Sequence, residues 1–199
     1  MEKQMQRTAE VRRTTKETDI FLYLNLDGSG KADINTGIGF FDHMLDAFAR
    51  HGFFDLTVTV KGDLEVDSHH TIEDTGIVLG EAIAKAVGDK KGIRRYGSFA
   101  LPMDETLILC SLDLCGRAYY SGDVEFTVER IGRFETEMMR EFFLAVAGHA
   151  AMNLHLKQLD GQNNHHLAEA SFKAFAKALD EATSLDPRIT DVLSTKGSL

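Results

Sequence analysis

His69-His70-Thr71-Ile72-Glu73-Asp74 and His165-His166-Leu167-Ala168-Glu169-Ala170 decide how the rest of this chain is read. Both carry the pattern HHxxE, and they lie 96 positions apart. Each follows an alternating run and then a polar stretch. Leu56, Val58 and Val60 precede residues 62–68, and Met152, Leu154 and Leu156 precede residues 160–164. Each also opens a run with helical apolar spacing, over 70–87 and 166–182. Upstream, DHMLDAFARHG from Asp42 aligns with REFFLAVAGHA from Arg140 at an offset of 98, which pairs His43 with Glu141 and His51 with His149. The small difference in offset falls in the polar stretches, where a change of loop length costs little.

Working outward, the first half reads strand, strand, short strand, helix, strand, helix. Residues 18–26 alternate and stop at Asp27-Gly28-Ser29-Gly30, a turn signal, while 40–50 has helical spacing and stops at Gly52. The second half repeats that order, with strand-rich 96–102 and 106–120 and a helical 134–150. Strands followed by helices predict an α+β fold. The expected architecture is an internal duplication of a strand-rich unit with two helices on one sheet face. The halves, 1–90 and 91–199, pack as one catalytic domain with GDKKG at 88–92 as the junction.

Composition narrows the classes of function. In 199 residues, 43% are hydrophobic and 27% charged, an ordinary globular mixture. A net charge of -9 disfavours nonspecific nucleic-acid binding, so an anionic substrate needs a local cluster of Arg and Lys. MEKQMQRTAEVRR lacks the apolar core of a secretory signal, and the apolar stretch 142–152 is too short to span a bilayer. Cys110 and Cys115 lie five apart in a strand-like run, so their side chains leave opposite faces and read as buried thiols. These features predict a cytoplasmic protein with no membrane partner.

The paired histidines carry the chemistry. Glu73 shares a helix face with the imidazoles three and four positions before it. Adjacent residues diverge by roughly 100° around a helix, so His69 and His70 suit two different ions better than one. The same holds for His165, His166 and Glu169. With His43 and its counterpart Glu141, eight candidate ligands serve two ions. Nitrogen and carboxylate donors without thiolate suit Mn, Fe, Co, Ni or Zn, and high coordination with open positions favours Mn. One HHxxE alone reads equally well as a polar helix start; two copies at matching repeat positions point to metal.

FFDHMLDAFARHG (40–52), DSHHTIEDTGI (67–77), RYGSFALPMDE (95–105) and GQNNHHLAEASFKAFAKAL (161–179) resemble the imidazoleglycerol-phosphate dehydratases of histidine biosynthesis. The resemblance runs from about Arg7 to Lys196. It implies dehydration of imidazoleglycerol phosphate to imidazole acetol phosphate, with two Mn(II) per active site. It also implies a 24-subunit shell with active sites between subunits; a fused phosphatase domain, found in some relatives, is not expected at this length. By position it makes His43, His69, His70, Glu73, His165, His166 and Glu169 metal ligands. It assigns substrate contacts, chiefly to phosphate, to Arg95, Arg117, Lys173, Ser194 and Lys196, with Thr195 and His51 beside them. Glu17 matches a substrate-contacting acid and is the candidate base, and Glu73 and Glu169 complete the catalytic carboxylates. Two departures stand out. Glu141 occupies a position where some relatives carry a metal-binding His, and CGRA at 115–118 replaces an expected SGRP while keeping Arg117.

The implied chemistry fits these residues. Metal-stabilised loss of the ring N–H proton to an imidazolate would expel the neighbouring hydroxyl through a diazafulvene-like species. Two other classes remain open from the residues alone, a binuclear metallohydrolase and a non-catalytic metal-binding shell. Lys173 and the Ser194-Thr195-Lys196 set are features that a metal store does not need.

Overall fold

Alternation becomes two sheets in the computed structural model, which describes residues 7–199. In the first half Ile20, Leu22 and Leu24 of β2 (Thr18–Asn25) point inward and oppose Val60, Val58 and Leu56 of β4 (Asp55–Gly62) in antiparallel register. Strand β1 (Thr8–Thr14) pairs antiparallel with the free side of β2, and β3 (Ala32–Asn35) pairs parallel with β4. The sheet order is therefore β1-β2-β4-β3.

The second half reproduces it. Strands β5 (Tyr96–Met103), β6 (Thr106–Asp113), β10 (Asn153–Asp160) and β7 (Tyr119–Gly122) form a sheet in the order β5-β6-β10-β7, again with a parallel edge strand. Helices α1 (Gly39–Gly52) and α2 (His69–Val87) cover one face of the first sheet. Helices α3 (Met138–Ala150) and α4 (Asn164–Thr183) cover one face of the second. The helix layers then meet, α2 on α3 and α1 on α4, giving the duplicated α+β fold that the sequence pattern predicts. Even the helix ends repeat. Phe53 after α1 and Ala151 after α3 both close their helices in the left-handed conformation, at φ 58° and 50°.

The two helix contacts use different side chains. A Cβ placed on Gly76 would lie 2.7 Å from the Phe142 carbonyl, and one on Gly80 would lie 2.7 Å from that of Val146, so α2 and α3 touch backbone to backbone. The α1–α4 contact is aromatic, with Phe48 stacked on Phe175 at 5.4 Å. Between them Phe41, Phe142, Phe143 and Phe172 fill the centre, all fully buried. Each such ring contributes on the order of 1.5–3 kcal/mol.

Three local readings are corrected. The helix expected over 134–150 starts at Met138, because Phe134–Glu135 is strand β9 of a short hairpin with β8 (Arg130–Ile131), turned at Gly132 with φ 62°. That hairpin has no counterpart among the described residues of the first half, and its Glu135 accepts a 2.7 Å hydrogen bond from Ser68, just before α2. The run 106–120 is two strands broken at Gly116, φ 78°. Cys115 therefore lies beyond the end of β6 rather than in a strand; it and Cys110 are buried, free thiols. The tail after α4 folds back along the segment following α2, with bridges Ile93↔Leu185 and Lys91↔Val192. No helix among the described residues is long and apolar enough to cross a membrane.

Gly80→Ala is expected to cost about 1–3 kcal/mol by overpacking α2 against α3. Gly148→Ala, where a Cβ meets nothing within 4 Å, is expected to leave stability unchanged or raised. Chemical denaturation of both variants checks the contrast; equal effects would contradict the close approach.

Candidate metal and substrate site

Helix starts place the imidazoles. The Asn163 side chain accepts hydrogen bonds from the backbone N–H groups of His165 and His166, at 3.0 and 3.3 Å, which fixes the first turn of α4. Asp67 does the same for His69 at 2.8 Å ahead of α2. The neighbouring rings diverge as their helical spacing requires, with centroids 6.0 Å apart for His69 and His70 and 6.3 Å for His165 and His166.

The α1–α4 contact gathers one cluster. Glu169 Oε2 lies 3.3 Å from His43 Nε2 and 3.1 Å from His165 Nε2. One donor atom from each of these three residues falls within 4.8 Å of the others. Lys173 Nζ meets the other oxygen of Glu169 at 2.5 Å, one helical turn on. Burial pushes the Glu169 carboxyl up, but the Lys173 hydrogen bond and charge and the His165 hydrogen bond outweigh it, so its pKa falls below the ordinary value. His51 is shifted down, first by burial and then by the Lys173 charge. Phe40 edges against His165 at 5.1 Å and His43 at 6.4 Å, an apolar wall that sequence reasoning missed.

The first-half motif is looser. His69 Nε2 lies 3.2 Å from Glu73 Oε2. Glu141 does not join them in a three-ligand group among the described residues. It pairs instead with Arg140 at 2.7 Å, in a cavity of about 460 Å³ lined also by Tyr120 and Phe143. His149, its neighbour two turns on, binds the Ala145 carbonyl through Nδ1 at 3.0 Å.

The second ring of each pair has a carboxylate partner that the sequence reading missed. His70 Nδ1 lies 2.9 Å from Asp63 Oδ2, a bond that raises the pKa of His70, and its Nε2 lies 3.8 Å from Glu17. His166 Nδ1 lies 2.8 Å from Glu105 Oε2. That bond and the Asn163 N–H hold the Glu105 carboxyl at about 2. A signal for Glu105 was present: Glu-Thr opens β6 at 105–106 as it opens β2 at 17–18.

The phosphate candidates gather elsewhere. Arg95, Arg117, Arg188, Ser194, Thr195 and Lys196 line a cleft of about 810 Å³ formed by the tail. Arg95, left-handed at φ 71°, commits one edge of its guanidinium to Asp113 at 2.7 and 3.0 Å and another N–H to the Leu193 carbonyl. No imidazole lines this cleft. Lys173 stands apart from it, on the Glu169 cluster.

The model of the imidazoleglycerol-phosphate dehydratase family matches residues 36–179. The chain belongs to that family. A curated imidazoleglycerol-phosphate dehydratase from Lachnoclostridium phytofermentans is 65% identical, covering 98% of this chain and 100% of its own. One from Acetivibrio thermocellus is 60% identical over the same shares. Among solved structures, the Staphylococcus aureus imidazoleglycerol-phosphate dehydratase superposes with a TM-score of 0.82 at 37% identity, covering 90% of this chain and 99% of that one. The Pyrococcus furiosus enzyme, solved in complex with (S)-C348, gives 0.83 at 38% identity, covering 95% and 100%. These two imidazoleglycerol-phosphate dehydratase structures thus match this chain's frame over nearly their whole length.

Lys173→Met should show the Glu169 ion pair as a pH effect in metal-free protein. A depressed carboxyl contributes stability above its unfolded pKa of about 4.3 and loses it as pH falls through the folded value. The parent should therefore be more stable than the variant above about pH 5, with the gap closing in more acid solution. Thermal melts across pH measure it, and a gap independent of pH would contradict the pairing.

Proposed function

We propose that the chain dehydrates imidazoleglycerol phosphate to imidazole acetol phosphate in histidine biosynthesis, in the cytoplasm, as a large homo-oligomer of 24 subunits. Both halves, 1–90 and 91–199, serve one catalytic domain. The observation that carries this reading is the Glu169 carboxylate set between His43 and His165 under Lys173, in a chain of this family. The donors are nitrogen and oxygen without thiolate and lie close enough for one ion, which suits Mn(II).

Two ions per active site are proposed. His43, His165 and Glu169 hold one, and His69 and Glu73 hold the other, with Glu141 as an oxygen donor after its Arg140 pair opens. His70 and His166 present Nε2 outward and complete the sites of neighbouring subunits. When bound, the ions act as Lewis acids that ease loss of the N–H proton from the substrate's imidazole ring and favour its imidazolate form.

The residues of the chain do the rest. The neighbouring hydroxyl leaves as water with the proton given up by the ring N–H; Glu17, at the exposed turn between β1 and β2, takes the proton from carbon, and that proton restores the ring N–H. Glu73 and Glu169 would give carboxylate oxygens to the ions beside their histidines. Lys173 brings a cation to the Glu169 cluster, and His51 faces the substrate beside it. Arg95, Arg117, Ser194, Thr195 and Lys196 hold the phosphate, with Arg117 offering a two-pronged donor edge while one edge of Arg95 stays on Asp113. The tail cleft and the imidazole clusters share no lining residue, which supports an active site assembled from more than one subunit.

Turnover of imidazoleglycerol phosphate tests the proposal. Chelated protein should be inactive and Mn(II) should restore it. Glu17→Gln should keep the metal content and lower kcat by about 10²–10⁴-fold. Full activity in exhaustively metal-free protein, or a near-normal kcat for Glu17→Gln, would contradict the mechanism.

A further inference from the structure

His70 and His166 occupy equivalent places in the two halves, yet the carboxylates that hold them come from different places. Asp63 sits in the loop between β4 and α2 and meets His70 Nδ1 at 2.9 Å. Glu105 sits in the turn between β5 and β6 and meets His166 Nδ1 at 2.8 Å. The repeat counterpart of Glu105 is Glu17, which contacts no Nδ1 and lies 3.8 Å from His70 Nε2. Inherited symmetry therefore does not explain the two contacts; each half reaches the same ring arrangement by its own residue.

We infer that Asp63 and Glu105 are positioning residues, which hold His70 and His166 by Nδ1 and present Nε2 as the free nitrogen. A neutral imidazole carries one N–H, and a carboxylate at Nδ1 keeps the proton there, so the lone pair lies on Nε2. Such a partner also raises the ring's strength as a donor. Glu105 is held by its carboxylate and Asp63 by its backbone. Glu105 accepts the backbone N–H of Asn163 at 2.9 Å and the Thr106 hydroxyl at 3.1 Å. The Asp63 N–H donates to the Glu17 carbonyl at 3.1 Å, so one residue ties His70 to the turn that carries Glu17.

A further detail supports a charge aimed at the ring. Asp63 Oδ1 is buried and receives no hydrogen bond from any described residue, so nothing but the His70 ring engages this carboxylate through a side chain. The arrangement divides labour between repeat counterparts. Glu105 is committed to His166, whereas no described residue hydrogen-bonds the Glu17 carboxylate, which leaves Glu17 the acid free to meet substrate.

The inference rests on the reading of His70 and His166 as Mn(II) donors, and the test separates the two. Mn(II) dissociation constants are measured for the parent, Asp63→Asn, Asp63→Leu, Glu105→Gln and Glu105→Leu, together with metal-free melting temperatures. The Leu variants should bind Mn(II) about 10–100-fold more weakly. Asn and Gln, which keep an acceptor oxygen but no charge, should fall between them and the parent at an unchanged melting temperature. Parental affinity in all folded variants overturns the inference while leaving the metal reading intact. If the Leu variants do not fold, the Asn and Gln constants decide: intermediate values support the inference, and parental values overturn it. A parent that binds no Mn(II) overturns the metal reading and this inference with it.

Discussion

Two imidazoles on adjacent residues at a helix start cannot converge on one point. Their rings lie 6.0 and 6.3 Å apart in the two halves, steeply inclined to each other. Each ring must therefore find a different companion. His165 turns along α4 to Glu169 and His69 along α2 to Glu73. His70 and His166 turn the other way, toward acids on the sheet side, Asp63 and Glu105. The fold supplies these companions because each helix start lies against the strand ends of its own half. The α1–α4 contact adds His43 from a helix more than a hundred residues away in sequence.

The same frame explains why the two halves are not equal sites. Gly76 and Gly80 draw α2 onto α3, while Phe48 and Phe175 space α1 from α4. At the wider contact a buried carboxylate meets two imidazoles and a lysine. At the closer one Glu141 turns to Arg140 and the His69–Glu73 pair stands with two members. The extra hairpin of the second half braces Ser68 through Glu135, so it acts on the first-half motif from the other side of the repeat.

The duplication was legible because period-2 and period-3.6 patterns recur at a constant spacing, and the HHxxE pairs marked both helix starts. The start of α3 was not, since Phe134 and Met138 both continue an apolar helical spacing and only Gly132 signals the turn of the hairpin. Cys115 was misplaced for a similar reason: the apolar run does not show that Gly116 breaks the strand. Within the Glu169 cluster, His165 and Glu169 share a face by helical spacing and His43 was marked by the repeat, whereas Lys173 came with the family resemblance. Asp63 and Glu105 were missed because an acid in a polar loop is unremarkable until folding sets it against a ring. Arg95 and Arg117 came from family resemblance alone, and only the folded tail brings them into one cleft with Ser194 and Lys196.

In the proposed assembly an active site joins the Glu169 cluster of one subunit to the Glu73 pair of another. Co-expression of Glu73→Ala and Glu169→Ala chains tests that division most directly, because each variant alone should be inactive. Random co-assembly would return roughly a quarter of the sites to an intact set, and dehydratase activity should recover to about that level. Mixed oligomers as inactive as either parent would contradict it, showing that one chain must supply both carboxylates to its own site.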